Sequence, residues 1–146
     1  MKWTTKSWSE LTKDELYDIL HLRQEVFCVE QDCPYIDCDY HDQTSTHIWA
    51  TDDAGIIAYT RIAPPGEIYK EVSIGRVITA MRARRIGLGK EAMEFSIAYC
   101  REHYPGPIRI MAQSYLLEFY ESYGFEREGK EFLEDGLPHW EMVLGV

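Results

Sequence analysis

Hydrophobic and polar positions follow a period of two in several short segments, and this period predicts β-strands. The segments are rich in β-branched and aromatic residues, and turn residues such as the Asp-Asp-Ala-Gly run at 52–55 separate them. The first segment, at the start of the chain, is predicted to be an edge strand. The predicted strands span residues 2–8, 47–51, 56–63, 72–79, 108–112, 125–132 and 139–144.

Other segments follow the helical period. A capping-box pattern at Thr12–Glu15 predicts the start of a first helix, whose apolar positions continue at helical spacing to Phe27. A second helix is predicted from Leu88 to about His103, where a Pro-Gly-Pro run ends it. A short third helix is predicted over 116–123, because the glycine that follows is typical of the residue just beyond a helix.

The region between the first helix and the second strand, Cys28–Ser45, has no regular period, so a long loop is predicted there. Strands dominate the first half of the chain, and a β-α-β-α order follows in the second half. This order predicts one α/β (α+β) domain over residues 1–146, in which helices flank a mixed sheet.

Composition narrows the class of protein. The net charge is −10, and a chain this acidic is not expected to bind nucleic acid, because surplus Lys and Arg hold phosphate backbones. Hydrophobic residues make up 45% of the chain, which is enough for a packed core. The polar first residues contain no signal sequence, and no apolar run approaches the roughly 18–20 residues of a membrane span. We therefore expect a cytoplasmic protein with no membrane partner.

The chain has four cysteines, and three of them lie close to a histidine. Cys28, Cys33 and Cys38 are separated by gaps of four residues and precede His41. Structural zinc sites usually combine two ligand pairs, and no second cysteine pair follows here. We therefore expect free thiols and no metal, while a Cys/His metal-binding sensor remains an alternative. Cys100 falls on the apolar face of the second predicted helix and is expected in the core.

Charge is segregated along the chain. Residues 24–60 contain eight acidic side chains and no Lys or Arg, whereas residues 72–90 contain five basic side chains and no acid. The basic residues lead directly into Gly87-Leu88-Gly89 and a predicted helix start. Because a helix N-terminus offers free N–H groups and the positive end of a dipole, this segment predicts an anion site.

Two common phosphate-binding motifs do not fit this segment. A Walker A loop needs a glycine where Arg84 stands and a hydroxyl where Glu91 stands. A dinucleotide fingerprint matches Gly87 and Gly89, but several residues separate these glycines from the preceding strand. The next strand also ends in Gln113, where that fingerprint needs an acid to hold a ribose.

The run Arg84–Gly89 instead resembles the Arg-x-x-Gly-x-Gly loop that binds the acyl-CoA pyrophosphate in the GNAT N-acetyltransferase superfamily. The segment Gln113–Phe125 is similar to that family's Asn-x-x-Ala-x-x-Leu-Tyr-x-x-x-Gly-Phe motif, with glutamine in place of asparagine. Leu22–Tyr35 and Asp135–His139 are similar to two signatures of the ElaA-like branch of the superfamily. Together these segments extend over most of the chain.

The resemblance implies a GNAT-type fold, a mostly antiparallel central sheet, and transfer of an acyl group, acetyl first of all, from acetyl-CoA to a primary amine. It implies that Tyr120 protonates the departing thiolate and that no metal takes part. Some family members carry a general base in the strand before the loop, but nothing acidic follows Glu71 in that strand here. The resemblance assigns CoA binding to Val77, Ile78, Thr79, Arg84, Arg85, Ile86, Gly87, Leu88, Gly89, Lys90, Gln113 and Tyr120.

No motif specifies the acceptor amine. The acid-rich segment favours a cationic small-molecule or peptide amine, and Arg23, Glu30, Asp37 and His139 are the candidate residues that would bind it. Glu30 and Asp37 could equally be solvated, whereas His139 is also a reasonable proton acceptor. The alternatives are an acyl-CoA-binding module without catalysis, the metal-binding sensor and an acyl-homoserine-lactone synthase. A monomer or a homodimer is expected.

Overall fold

Seven strands pair into one sheet in residues 1–145, which are the residues that the computed structural model describes. They are β1 (Lys2–Ser7), β2 (Thr46–Asp52), β3 (Gly55–Ala63), β4 (Val72–Thr79), β5 (Ile108–Gln113), β6 (Glu126–Glu134) and β7 (Leu137–Leu144). Their order across the sheet is β1-β2-β3-β4-β5-β7-β6. The β4–β5 pair is parallel and the other neighbouring pairs are antiparallel. The predicted mixed, mostly antiparallel α/β sheet is therefore confirmed.

Three α-helices accompany the sheet: α1 (Lys13–Arg23), α2 (Leu88–His103) and α3 (Leu117–Glu121). The predicted capping box begins α1, because the Thr12 hydroxyl accepts from the Glu15 N–H at 3.1 Å and the Glu15 carboxylate accepts from the Thr12 N–H at 2.9 Å. Within residues 1–145, no helix combines the length and apolarity that crossing a membrane requires.

The chain leaves α1 differently from the prediction. Residues Gln24–Glu30 continue the helix as a π-helical segment, so the predicted loop begins only after Glu30 and not at Cys28. The wider turn appears in the hydrogen bond from the Cys33 N–H to the Cys28 carbonyl, which spans five residues. This segment carries Phe27, Glu30 and the residue after it towards the sheet.

Different helices pack on the two faces of the sheet. Because side chains alternate along a strand, Ile48 and Trp49 of β2 enter different core clusters. The cluster that contains Ile48 packs against α2 through Met93 and Cys100, and burial raises the pKa of the Cys100 thiol to about 12. The cluster that contains Trp49 packs against α1. The helices therefore flank the sheet on both faces, and Cys100 lies in the core as expected.

The parallel strands β4 and β5 separate soon after they begin. Their pairing is limited to Val72 with Ile108 and Ser73 with Arg109, so the remainder of each strand faces a gap. In β4 this remainder also contains a bulge, because Gly75 pairs with Arg61 whereas Ile78 pairs with Tyr59. Backbone N–H and C=O groups of β4 are therefore left available along the gap.

Candidate functional site

Two cavities lie along the free part of β4. The hairpin cavity, of about 470 Å³, is lined by Gly75–Val77, by the segment after α1 and by the β6–β7 turn. The helix cavity, of about 480 Å³, is lined by Val77–Thr79, by Arg84 and by Gly89 at the start of α2. Residues that line both cavities include Phe27, Gln31, Val77, Gln113, Leu116 and Tyr120.

The loop that leads into α2 has the backbone that the basic motif predicted. Arg85 has φ +68° and Gly87 has φ +83°, and these left-handed residues turn the chain into the helix. The first intrahelical hydrogen bond runs from the Glu91 N–H to the Gly87 carbonyl, so the N–H groups of the preceding residues have no helical acceptor. Among them, Gly89 lines the helix cavity. The loop therefore offers hydrogen-bond donors to an anion.

Arg84 is the arginine of this loop that lies in the helix cavity. Its guanidinium donates to the Thr79 carbonyl at the end of β4, at 3.3 Å from Nε and 3.2 Å from Nη2. It also forms a bidentate ion pair with Glu30, whose Oε1 lies 2.6 Å from Nη2. The hydrogen bonds from Arg84 hold the pKa of the Glu30 carboxyl below its usual value. Glu30, predicted to bind the acceptor, thus lies in the same cavity as the predicted phosphate loop.

Other residues of the motif take different positions. The Leu88 side chain is 2% exposed and packs against Ala83 in the core, so only its backbone remains to contact a ligand. The assignment of Leu88 to CoA binding therefore concerns its backbone. Arg85, Ile86 and Lys90 are exposed at the rim, outside the lining of either cavity.

Tyr120 lies at the junction of the two cavities. Its ring packs on Phe119 and Phe125 at centroid distances of 5.1 Å and 6.2 Å, which leaves the residue 7% exposed. Burial raises the pKa of its hydroxyl, and no hydrogen bond within residues 1–145 lowers it. The hydroxyl therefore stays protonated at neutral pH and is free to donate to a group in either cavity.

Gln113 and His139 face each other across the β5–β7 pair. The Gln113 side-chain amide donates to the Gln31 side chain at 3.3 Å, which links the end of β5 to the segment after α1. His139 is 7% exposed and lines the hairpin cavity. Gln113 lines both cavities and His139 lines the hairpin cavity, so both lie in the candidate site.

Arg23 and Asp37, predicted to bind the acceptor, lie inside the protein instead. Arg23 is fully buried, and its guanidinium contacts Asp37 at 2.7 Å and Asp42 at 2.7 Å. Asp37 is 5% exposed and also lies 2.8 Å from Arg76 Nε, although that N–H is not directed at the oxygen. These side chains have no free surface for a substrate, so the prediction is wrong for both.

The same cluster neutralises much of the acid-rich segment. Arg61 pairs with Asp39 at 2.8 Å and with Asp42 at 3.0 Å. Burial disfavours the charged carboxyl of each aspartate, but hydrogen bonds and charge from the arginines outweigh it and lower the pKa of Asp39 and of Asp42. The cluster of Arg23, Asp37, Asp39, Asp42, Arg61 and Arg76 therefore fixes the segment after α1 against β3 and β4.

Sequence reasoning did not foresee that Arg61 and Arg76 join this cluster, and it missed the acids that face the hairpin cavity. Glu134 and Asp135 of the β6–β7 turn line that cavity, and neither takes part in an ion pair within residues 1–145. The sequence shows that these two acids lie at the predicted Asp-Gly turn. It does not show that this turn lies close to the segment after α1, where the Cys33 thiol donates to the Asp135 carbonyl at 3.5 Å.

The cysteines considered as metal ligands have separate surroundings. The Cys28 thiol contacts the Tyr35 carbonyl at 3.7 Å, and His41 pairs with Glu67 at 3.1 Å. In the part of the chain that the structure describes, no three Cys, His, Asp or Glu side chains are arranged to hold a metal ion. The geometry gives no support to the metal-binding sensor.

Comparisons with known sequences and structures identify the family that has this fold. Residues 19–146 match the family model of the acetyltransferase (GNAT) domain. Protein ElaA of Escherichia coli is 38% identical over all of this chain and 97% of its own length, and its crystal structure superposes with a TM-score of 0.92. The crystal structure of an acyl-CoA N-acyltransferase from Pseudomonas aeruginosa superposes with a TM-score of 0.94 at 38% identity, covering 99% of each chain.

Proposed function

This chain belongs to the GNAT acetyltransferase family, in its ElaA-like branch, and we propose that it transfers an acetyl group from acetyl-CoA to a primary amine. The observation that carries the proposal is the position of Tyr120, whose side chain lines both the helix cavity and the hairpin cavity. A donor in one cavity and an acceptor in the other would meet at its hydroxyl.

The helix cavity is suited to the donor. Its loop presents backbone N–H groups and Arg84 to the pyrophosphate, and charge-assisted hydrogen bonds of this kind are stronger than neutral ones. The unpaired edge of β4 can pair with the amide groups of pantetheine, as an added strand pairs with a sheet edge. This pairing directs the thioester along the gap towards Tyr120.

The transfer itself needs few protein groups. The amine nitrogen attacks the thioester carbonyl carbon, and an N–H of the free β4 segment stabilises the negative charge on the carbonyl oxygen. The carbon–sulfur bond then breaks, and the Tyr120 hydroxyl gives its proton to the sulfur. The products are an amide and free CoA, so the thiol reports turnover.

The hairpin cavity is suited to the acceptor, and its charge favours a cationic amine. The negative charge of the cavity comes from Glu134 and Asp135. The negative charge of the acidic segment after α1 is largely cancelled, because arginines form ion pairs with its aspartates. Tyr35 and Tyr69 also line this cavity and add aromatic surface on which an ammonium or alkyl chain can pack.

An assay of thiol release tests the proposal. Acetyl-CoA is incubated with a panel of polyamines, aminoglycosides, lysine peptides and neutral amines, and acetylated product is identified by mass spectrometry. We expect turnover with cationic amines, at a KM that rises with ionic strength because exposed charges are screened. Tight binding of acetyl-CoA without thiol release for any amine would favour the non-catalytic module.

Gly89→Val is expected to weaken CoA binding by about 10- to 100-fold, because hydrogen bonds to a charged group are worth about 1.5–3 kcal/mol. A Cβ at Gly89 would have Phe119 as its nearest neighbour, at 3.8 Å, so the fold accepts it. The side chain would occupy the space beside the first-turn N–H groups. Isothermal calorimetry with CoA measures the change.

The control for this prediction is Gly145→Val, since a Cβ there meets nothing within 4 Å. Both variants are expected to keep the thermal stability of the parent protein. An unchanged CoA dissociation constant in folded Gly89→Val would show that the pyrophosphate binds elsewhere.

Glu30→Gln is expected to tighten CoA binding about two- to fivefold, since a partly exposed ion pair is worth at most about 1 kcal/mol. The Glu30 carboxylate binds the same Arg84 guanidinium that would bind the pyrophosphate, and its negative charge repels the phosphates. Calorimetry of Glu30→Gln is compared with Glu25→Gln, whose parent carboxylate pairs with His21 outside the cavity. Equal affinities in the two variants would contradict competition between Glu30 and the pyrophosphate.

A further inference from the structure

The two ring nitrogens of His139 have different surroundings. Nδ1 lies 2.7 Å from the carbonyl oxygen of Leu137. A carbonyl only accepts hydrogen bonds, so Nδ1 carries the hydrogen of the neutral ring. Nε2 is then an unprotonated acceptor, and it has no hydrogen-bond partner within residues 1–145.

The sheet holds this ring firmly. His139 pairs with Gln113 of β5 on one side and with Phe132 of β6 on the other. The Phe132 ring stacks on the imidazole at a centroid distance of 6.1 Å and an angle of 25°. A ring fixed by two neighbouring strands and one hydrogen bond presents the same nitrogen to the hairpin cavity in every molecule, and Tyr120 lines that cavity too.

We propose that His139 Nε2 is the general base that takes the proton from the attacking amine, an inference that rests on the proposed acyl transfer. The nitrogen–carbon bond forms first, and a proton leaves the resulting ammonium for Nε2. The carbon–sulfur bond then breaks as Tyr120 protonates the sulfur. Water afterwards takes the proton from His139 and returns one to Tyr120, so the net reaction converts amine and thioester into amide and thiol.

The assignment supplies a base that β4 lacks. The free segment of β4 carries no carboxylate after Glu71, whereas the His139 imidazole offers an acceptor nitrogen beside the cavity that Tyr120 also lines. A neutral imidazole whose hydrogen is committed to a carbonyl has the protonation state that a base requires.

Several titratable and charged groups line the same cavity as His139. The β6–β7 turn contributes Glu134 and Asp135, α3 contributes Tyr120, and the segment between β3 and β4 contributes Tyr69. Carboxylates favour the imidazolium and arginines oppose it. The segment after α1 and the strands β3 and β4 contribute Cys33, Tyr35, Asp39, His41, Arg61 and Arg76.

His139→Asn tests the assignment, because the asparagine amide can still donate to the Leu137 carbonyl but has no group at the Nε2 position. We expect kcat/KM for the amine to fall about 10²- to 10⁴-fold at pH 7, the range of general acid–base assistance. The loss should shrink at high pH, where hydroxide can take the proton from the ammonium of the intermediate in place of His139. CoA affinity should stay within about twofold of the parent value.

The matched control is His103→Asn on the exposed end of α2, where Nδ1 is bonded to the Tyr99 carbonyl at 3.0 Å but the ring is outside both cavities. A parent-like rate and pH profile in His139→Asn would overturn the inference while leaving the proposed function in place. If the parent protein acetylates no amine in the panel, the proposed function fails and the inference fails with it.

A second measurement does not depend on turnover. Long-range ¹H–¹⁵N spectra of the parent protein, assigned by loss of signals in His139→Asn, report which ring nitrogen is protonated. We expect the neutral His139 ring to carry its hydrogen on Nδ1. The Nε2–H form would overturn the assignment, because Nε2 could then not accept a proton.

Discussion

Tyr120→Phe is expected to lower kcat by about 10²- to 10⁴-fold, with the lower end favoured because a thiolate leaves readily. The substitution removes the hydroxyl at the junction of the two cavities and keeps the ring that packs on Phe119 and Phe125. Because the hydroxyl has no hydrogen-bond partner within residues 1–145, its loss leaves no buried group unsatisfied. The dissociation constant of acetyl-CoA and the melting temperature should therefore change little.

The pH dependence adds a separate check. Burial raises the pKa of Tyr120 above the ordinary value of about 10, so the hydroxyl remains protonated below that pH. We expect no loss of kcat from Tyr120 ionisation between neutral pH and about 10. Tyr123→Phe is the matched control, since its hydroxyl donates to the Lys90 carbonyl at 3.5 Å and lines neither cavity. A parent-like kcat in Tyr120→Phe would make Tyr120 a packing residue only.

The elements that the sequence predicted well are those whose signals are local. The capping box at Thr12–Glu15, the alternation of each strand and the glycines before α2 lie within a few residues of one another. For this reason the Arg84–Gly89 loop could be recognised before its geometry was known. Its hydrogen-bonding backbone is a property of consecutive residues.

The ion-pair partners could not be predicted in the same way. Arg84 and Glu30 are 54 positions apart, and Arg76 and Asp37 are 39 positions apart, so no local pattern joins them. The acidic run therefore looked like a solvent-facing or ligand-facing surface, whereas folding brings arginines from α1, β3 and β4 to it. Because the acidic segment and these arginines are far apart in the sequence, the sequence does not show that their side chains form ion pairs in the folded protein.

The gap beside β4 was concealed for another reason. Val72–Thr79 has the composition of a uniform strand, and nothing in its own residues shows that the pairing with β5 ends at Ser73. The bulge near Arg76, whose φ is +52°, likewise depends on the register with β3.

Arg23→Met is expected to lower the free energy of unfolding by about 3–5 kcal/mol, because it removes one cationic partner from each of two buried carboxylates. Arg23 is fully buried and contacts both Asp37 and Asp42 at 2.7 Å. Methionine fills part of the space but provides no charge or hydrogen bonds. Urea denaturation measures this loss of stability. Amine turnover should fall as well, because the segment after α1 that the cluster holds also lines the hairpin cavity.

Arg82→Met is the control for burial, because Arg82 forms a bidentate pair with Asp52 at 2.7 and 2.9 Å but its side chain is 44% exposed. Its effect should stay within about 1 kcal/mol. Adding Asp37→Asn to Arg23→Met removes one of the two carboxylates that have lost a cationic partner and should restore part of the stability. No recovery in the double variant would mean that lost packing, and not lost charge pairing, causes the loss.

Acid unfolding gives the same prediction a second readout. The arginines lower the pKa of Asp42 below its value in the unfolded chain, about 3.9, so the pair stabilises the protein above that pH and the contribution is lost as pH falls. In Arg23→Met the folded-state pKa of Asp42 rises because one cationic partner is gone. The midpoint of acid unfolding should therefore move to higher pH in Arg23→Met, and by more than in Arg82→Met, where the carboxyl that loses its partner is exposed. If the two variants share the parent midpoint, the cluster does not hold the segment through charge.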